Sequence, residues 1–95
     1  MAGVALSRRA VKDVRRIGPG DELNRIREGL EALERHRTDP DIKQLRGRSS
    51  WLRLRVGDYR ALYRPIASGE AGRASHLVAR IVHRSDLQRA VATLA

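Results

Sequence analysis

Arginine recurs at every second position of "WLRLRV", residues 51–56, and again flanks the centre of "YRALYRP", residues 59–65. Alternate side chains of a strand share one face, and paired strands bring those faces together. With a turn at Gly57-Asp58 between two strands, Arg53, Arg55, Arg60 and Arg64 gather on one surface. Like charges facing one another destabilise a sheet, so the cluster implies an anionic ligand that offsets the repulsion. Guanidinium suits phosphate, because its planar fork donates paired hydrogen bonds and stays charged at physiological pH. It makes a poor base, with a pKa above about 12. Arginines in this pattern hold a phosphodiester and stabilise charge on it; another group must move the protons.

His83 is the candidate for that task. It ends the apolar run "HLVARIV", 76–82, next to Arg84, and imidazole titrates near neutrality. His36 and His76 read as structural or solvated. No two histidines stand at metal-ligand spacing and cysteine is absent, so neither a metal nor any other cofactor is expected. The aromatic residues for base stacking are few. Tyr59 and Tyr63 belong to the leucine side of their strand, whereas Trp51 has access to either side. Phosphate contacts, rather than base contacts, are the expected mode of binding.

The whole composition points the same way. Twenty basic residues against eleven acidic ones give a net charge of +9 over 95 residues, which favours a polyanionic partner, usually nucleic acid. One domain spanning residues 1–95 is expected, with a small core of Leu, Val, Ile and Ala. No apolar run approaches the ~20 residues of a membrane span, and "MAGVALSRRAVKD" is charged too early for a signal peptide. A cytoplasmic protein with no membrane partner is expected.

The elements that must position these groups follow from periodicity. "GVAL", 3–6, reads as an edge strand, and Ser7 as the N-cap of a helix carrying Ala10, Val11, Val14 and Ile17 on one side. "GPG", 18–20, stops it, and Asp21 reads as the cap of a second helix with the stripe Leu23, Ile26, Leu30 and Leu33. Residues 38–50 read as an irregular connection, pinned to the core by Ile42 and Leu45. Three strands follow, at 51–56, 59–65 and 76–82. Ser85 and Gln88 form a capping-box pattern before a last helix with Leu87, Val91 and Leu94 inward. The expected fold is α+β, β-α-α-β-β-β-α, with the helical hairpin and the C-terminal helix on one face of a mainly antiparallel sheet. The arginines then occupy the other face.

Three stretches, "LRG" at 45–47, "LRLRVGDYRALYR" at 52–64 and "IVHRSDL" at 81–87, together with this element order, resemble the RelE/ParE superfamily of bacterial type II toxin–antitoxin toxins. The resemblance covers nearly the whole chain. Its RelE-like branch, the favoured one, implies a ribosome-dependent mRNA endonuclease (an mRNA interferase) that cleaves by attack of the ribose 2′-hydroxyl on the neighbouring phosphate. Carried onto this sequence, the catalytic set is Arg53, Arg55, Arg60, His83 and Arg84. Lys43, Arg46, Arg48, Arg64 and Arg80 are expected to extend the nucleic-acid-binding surface. Relatives in that branch often carry lysine at the positions of Arg53 and Arg55, and tyrosine near Gln88, so the general base is left open. The ParE-like branch implies a DNA gyrase inhibitor with no catalytic activity, and a third alternative is an RNA-binding member that does not cut. Either toxin reading implies a cognate acidic antitoxin in a hetero-oligomer, beside ribosome and mRNA, or gyrase.

Overall fold

The computed structural model describes residues 3–35, 40–48, 50–67 and 74–94. Strand β1 (Val4–Leu6) leads into α1 (Arg8–Ile17) and α2 (Asp21–Glu34), then β2 (Asp41–Gln44), β3 (Leu52–Val56), β4 (Tyr59–Pro65) and β5 (His76–His83). One 3₁₀ turn (Arg84–Asp86) connects β5 to α3 (Leu87–Ala92). The five strands form one sheet in the order β1-β5-β4-β3-β2. Only β1 and β5 run parallel; the other pairs are antiparallel. The expected α+β architecture is present, with one strand more than the sequence suggested.

That strand, β2, lies in the segment read as irregular. Its four residues are all exposed, and backbone pairing with β3, from Asp41↔Arg55 to Gln44↔Leu52, is what orders it. An edge strand held by backbone bonds alone leaves little trace in hydrophobic periodicity. Ile42, expected in the core, is 40% exposed, because it sits on this uncovered edge. Gly47 takes φ +73° in the β2–β3 loop and Gly57 takes φ +58° in the two-residue β3–β4 turn, conformations that glycine adopts without strain.

The helical hairpin covers one face. Ile26, Leu30 and Leu33 of α2 and Ala10 of α1 pack on Leu54, Ala61, Tyr63, Val78 and Ile81. Helix α2 comes so close to β3 that a methyl group at Gly29 would lie 2.9 Å from a Val56 methyl, which explains a glycine inside a helix. Ser7 caps α1 as expected: its Oγ accepts the Ala10 N–H at 3.1 Å and donates to the Ala79 carbonyl at 2.6 Å. Asp21 is the first helical residue of α2 rather than its cap, which is Gly20.

The terminal helix departs from expectation. Leu87, Ala90, Val91 and Leu94 pack against Trp51, Leu62 and Val82, on the face opposite the hairpin. The cause is in the strands: Leu62 and Val82 stand opposite Arg53 and Arg60 in the register, so the arginine face carries an apolar patch that a helix must cover. Trp51 joins this second core at 7% exposure, while Tyr59 and Tyr63 take the hairpin side as expected. The capping box does not form. His83 caps the 3₁₀ turn, its Nδ1 accepting the Ser85 N–H, and Asp86 precedes α3 without a side-chain cap bond.

Candidate functional site

The hairpin register decides which arginines meet. Arg55 and Arg60 are direct cross-strand partners, and Arg53 opposes Leu62 two residues along the same face. Arg60 Nη1 donates to the carbonyls of Gly57 and Tyr59, each at 2.9 Å, which holds its guanidinium over the turn. The Arg60 pKa is lowered from the usual arginine value by burial and by the charges of Arg55, Arg53 and Arg84, against an opposing effect of Asp41. Four guanidinium groups from two strands and the 3₁₀ turn therefore share one electrostatic neighbourhood.

Two carboxylates stand among them. Asp41, on β2 opposite Arg55, lies 3.4 Å from Arg53 Nη1 and 3.8 Å from Arg55 Nη1. Asp58 lies 3.5 Å from Arg84 Nε, and the Asp58 carbonyl accepts the Arg84 N–H at 2.7 Å. Asp41 and Asp58 are more than half exposed, and exposed pairs contribute under about 1 kcal/mol each. They spread the repulsion without neutralising it. Beside Arg53, a cleft of about 440 Å³ opens between the β2 end and the start of α3, lined by Lys43, Arg46, Leu87 and Gln88 among others. Lys43 is the cross-strand partner of Arg53.

The remaining candidates lie elsewhere. His83 pairs with Tyr59 in register and meets its ring edge-on at 5.7 Å, so it belongs to the hairpin side. Its Nδ1 is 2.9 Å from Ser85 Oγ, and it lines a cleft of about 360 Å³ with Arg9, Arg16 and Arg89. Sequence adjacency to Arg84 does not bring His83 into the arginine row. Arg48 Nη1 donates to the Leu94 carbonyl at 2.8 Å, fixing the end of α3. Arg64 shares the row's face but lies over Trp51, 5.8 Å from the ring centre. His76 contacts Ser75 Oγ at 2.8 Å and the Tyr63 ring at 5.7 Å; His36 lies outside the described residues.

Arg80 is engaged most firmly. Its Nε and Nη2 donate to the two carboxylate oxygens of Asp13 at 2.9 and 3.2 Å. Asp13 is 4% exposed and also accepts the Ile81 N–H at 2.9 Å. The Asp13 hydrogen bond raises the Arg80 pKa, against burial. Strand β1 pairs only with the start of β5, up to Val78, and Asp13 satisfies a backbone donor on the edge that β1 leaves uncovered. Sequence reading passed over Asp13, although a lone carboxylate three residues after Ala10 and one before Val14 interrupts an apolar stripe. Arg80 pairs with Leu62, on the arginine side of the sheet, before the register shift that pairs Val78 with Tyr63.

A family model described as "ParE toxin of type II toxin-antitoxin system, parDE" matches residues 4–88. The chain belongs to this toxin family. Its fold is that of solved RelE proteins. The toxin is similar to the RelB-RelE antitoxin-toxin complex from Methanococcus jannaschii, with TM-score 0.68 and 24% identity over 90% of this chain and 96% of that one. It is similar also to the archaeal RelE-RelB complex from Pyrococcus horikoshii OT3, with TM-score 0.64 and 23% identity over 88% and 97%. No curated protein matches it in sequence. No helix among the described residues of the toxin is long and apolar enough to cross a membrane.

Proposed function

We propose that this toxin cleaves mRNA on the ribosome, with the arginine row as the clamp for the scissile phosphate. The supporting observation is the shared neighbourhood of Arg53, Arg55, Arg60 and Arg84, an arrangement that costs folding energy and serves a multiply bonded anion. In the reaction the 2′-oxygen bonds to phosphorus and the bond from phosphorus to the 5′-oxygen breaks. The product ends are a 2′,3′-cyclic phosphate and a 5′-hydroxyl. The row holds the phosphate in line and stabilises the charge that builds on its free oxygens. The 2′-hydroxyl must lose a proton and the 5′-oxygen must gain one. Lys43, facing Arg53 across the strand register, is the group at the row with chemistry for such a transfer, whereas His83 lies on the hairpin side against Tyr59. The partners in this reading are ribosome, mRNA and a cognate acidic antitoxin in a hetero-oligomer, all in the cytoplasm.

Gyrase inhibition is the second reading. It is supported by the match to the ParE family model and by the position of His83 against Tyr59 rather than among the arginines. Primer extension on a translated message, with purified toxin and ribosomes, separates the two. New 5′ ends within codons support the nuclease. Intact messages, together with trapped gyrase–DNA cleavage complexes, support the inhibitor and end the nuclease reading.

A further inference from the structure

One groove among the described residues of the toxin lies away from the arginine row. It has a volume of about 670 Å³ and a floor of Leu77, Ala79, Trp51 and Leu94, between the start of α1 and the end of α3. It exists because α3 stops at Ala92 and leaves the Leu77 end of β5 uncovered. Arg60, in the row, and Arg64, at the groove, are four residues apart on β4, roughly 13 Å at the usual strand rise. Helix α3 lies over the sheet between them.

The rim of this groove is cationic. Arg8 and Arg9 line it together with Arg64. Both α1 residues are exposed, and neither is paired with a carboxylate among the described residues. The first turn of α1 carries no acidic residue, although helix N-termini favour negative charge. The exposed side of α1 continues with Lys12, Arg15 and Arg16. An apolar floor with a cationic rim calls for an occupant that is apolar on one side and acidic on the other. RNA accounts for the rim but not for the floor. A second copy of this +9 chain would bring its own cations to the contact.

From this we infer that the groove is the anchoring site for an acidic amphipathic segment of the antitoxin, separate from whatever part of that partner covers the arginine row. The inference rests on the toxin–antitoxin reading and adds a division of labour to it. Apolar side chains of the segment fill the floor over Leu77 and Ala79, and its carboxylates meet Arg8, Arg9 and Arg64. Anchoring then persists when the row is altered, and toxicity persists when the groove is altered.

The test uses the full chain coexpressed with the acidic protein of the reading frame beside its gene. Affinity is measured by calorimetry on the purified pair. Leu77→Glu puts a charge into the floor and is expected to weaken binding about a hundredfold, as loss of a central apolar anchor does. The double variant Arg8→Glu/Arg9→Glu is expected to weaken it about tenfold, less so at high salt. Glutamate in a first helical turn supports the helix, so lost binding in the double variant cannot come from an unfolded α1. Cells expressing either variant should stay growth-arrested despite the partner. If the wild-type chain binds no such protein, the antitoxin reading itself fails. If it binds, groove variants bind undiminished, and Arg53→Glu/Arg55→Glu abolishes binding, the antitoxin reading stands and the groove assignment is overturned. Loss of ribosome or RNA binding in the groove variants, with the acidic partner retained, overturns it equally.

Discussion

Arg80 and Arg60 lie on adjacent strands and are used in opposite ways. Arg80 meets both oxygens of a carboxylate that is 4% exposed and that also secures a backbone N–H of β5. Arg60 meets Arg55 across the register, reaches only two backbone carbonyls, and feels two further guanidinium groups. Accordingly one pKa is raised and the other lowered from the same ordinary value. The first arrangement stabilises the fold, and the second costs it stability, as the proposed phosphate clamp would. In a chain with eighteen arginines, the partner of each guanidinium tells more about its purpose than its position in the sequence.

The contrast is broken most severely at Asp13. Asp13→Ala leaves the half-buried Arg80 without its counter-charge and Ile81 without its acceptor, and removing the buried partner of such a pair costs about 3 kcal/mol. For a domain this small that is a large part of the total stability. Urea denaturation should show the loss, and Asp13→Asn, which keeps an acceptor for the Ile81 N–H, should retain more. A loss below about 1 kcal/mol for the alanine variant would make the pair ornamental.

Next in size is Arg60→Ala, where the effect moves from stability to function. Removing one preorganised donor from a developing oxyanion typically slows a reaction by about 10²–10³. Stability should stay level or rise, because the side chain that feels three like charges is gone. Arg60's folded-state pKa lies below its unfolded one, so its charge works against folding at every pH below that folded value and relief comes only as pH rises through it. The cost is therefore constant near neutrality. RNA affinity at the row should be flat between about pH 6 and 8.5, because guanidinium keeps its charge throughout that range.

Salt offers a finer comparison. Each row arginine that contacts a phosphate should lower the slope of log affinity against log salt by about 0.7 for single-stranded RNA when it is deleted. Arg48→Gln, by contrast, should leave the slope unchanged and weaken only the end of α3, where it holds the Leu94 carbonyl. The smallest effect is expected at Asp58. Asp58→Asn releases Arg84 from an exposed pair, with a stability change under about 0.5 kcal/mol and somewhat tighter RNA binding.

What the sequence disclosed follows the same physics. Periodicity located α1, α2 and strands β3 to β5, because each has one face buried against a continuous core. It also placed Arg53, Arg55 and Arg60 together, since pairing through a two-residue turn leaves little freedom of register. β2 escaped notice because backbone bonds, not side-chain burial, order it. The side taken by α3 depended on Leu62 and Val82, two apolar residues at positions whose parity matches the arginines. His83 was placed by its neighbour Arg84, whereas its register with Tyr59 sets its side of the sheet, and Arg80 was placed without its partner Asp13 in view. Asp13, which holds both Arg80 and the Ile81 N–H, was hidden in an otherwise basic helix.

The central claim is that the row acts on a phosphodiester. The direct measurement is single-turnover cleavage of a ribosome-bound message by the wild-type toxin and by Arg60→Ala, with both proteins shown to melt at the same temperature or the variant higher. Cuts within codons are expected for the wild type, and at least a hundredfold slower cutting for the variant. Equal rates, or no cutting by a wild-type protein that still arrests growth, would contradict the claim.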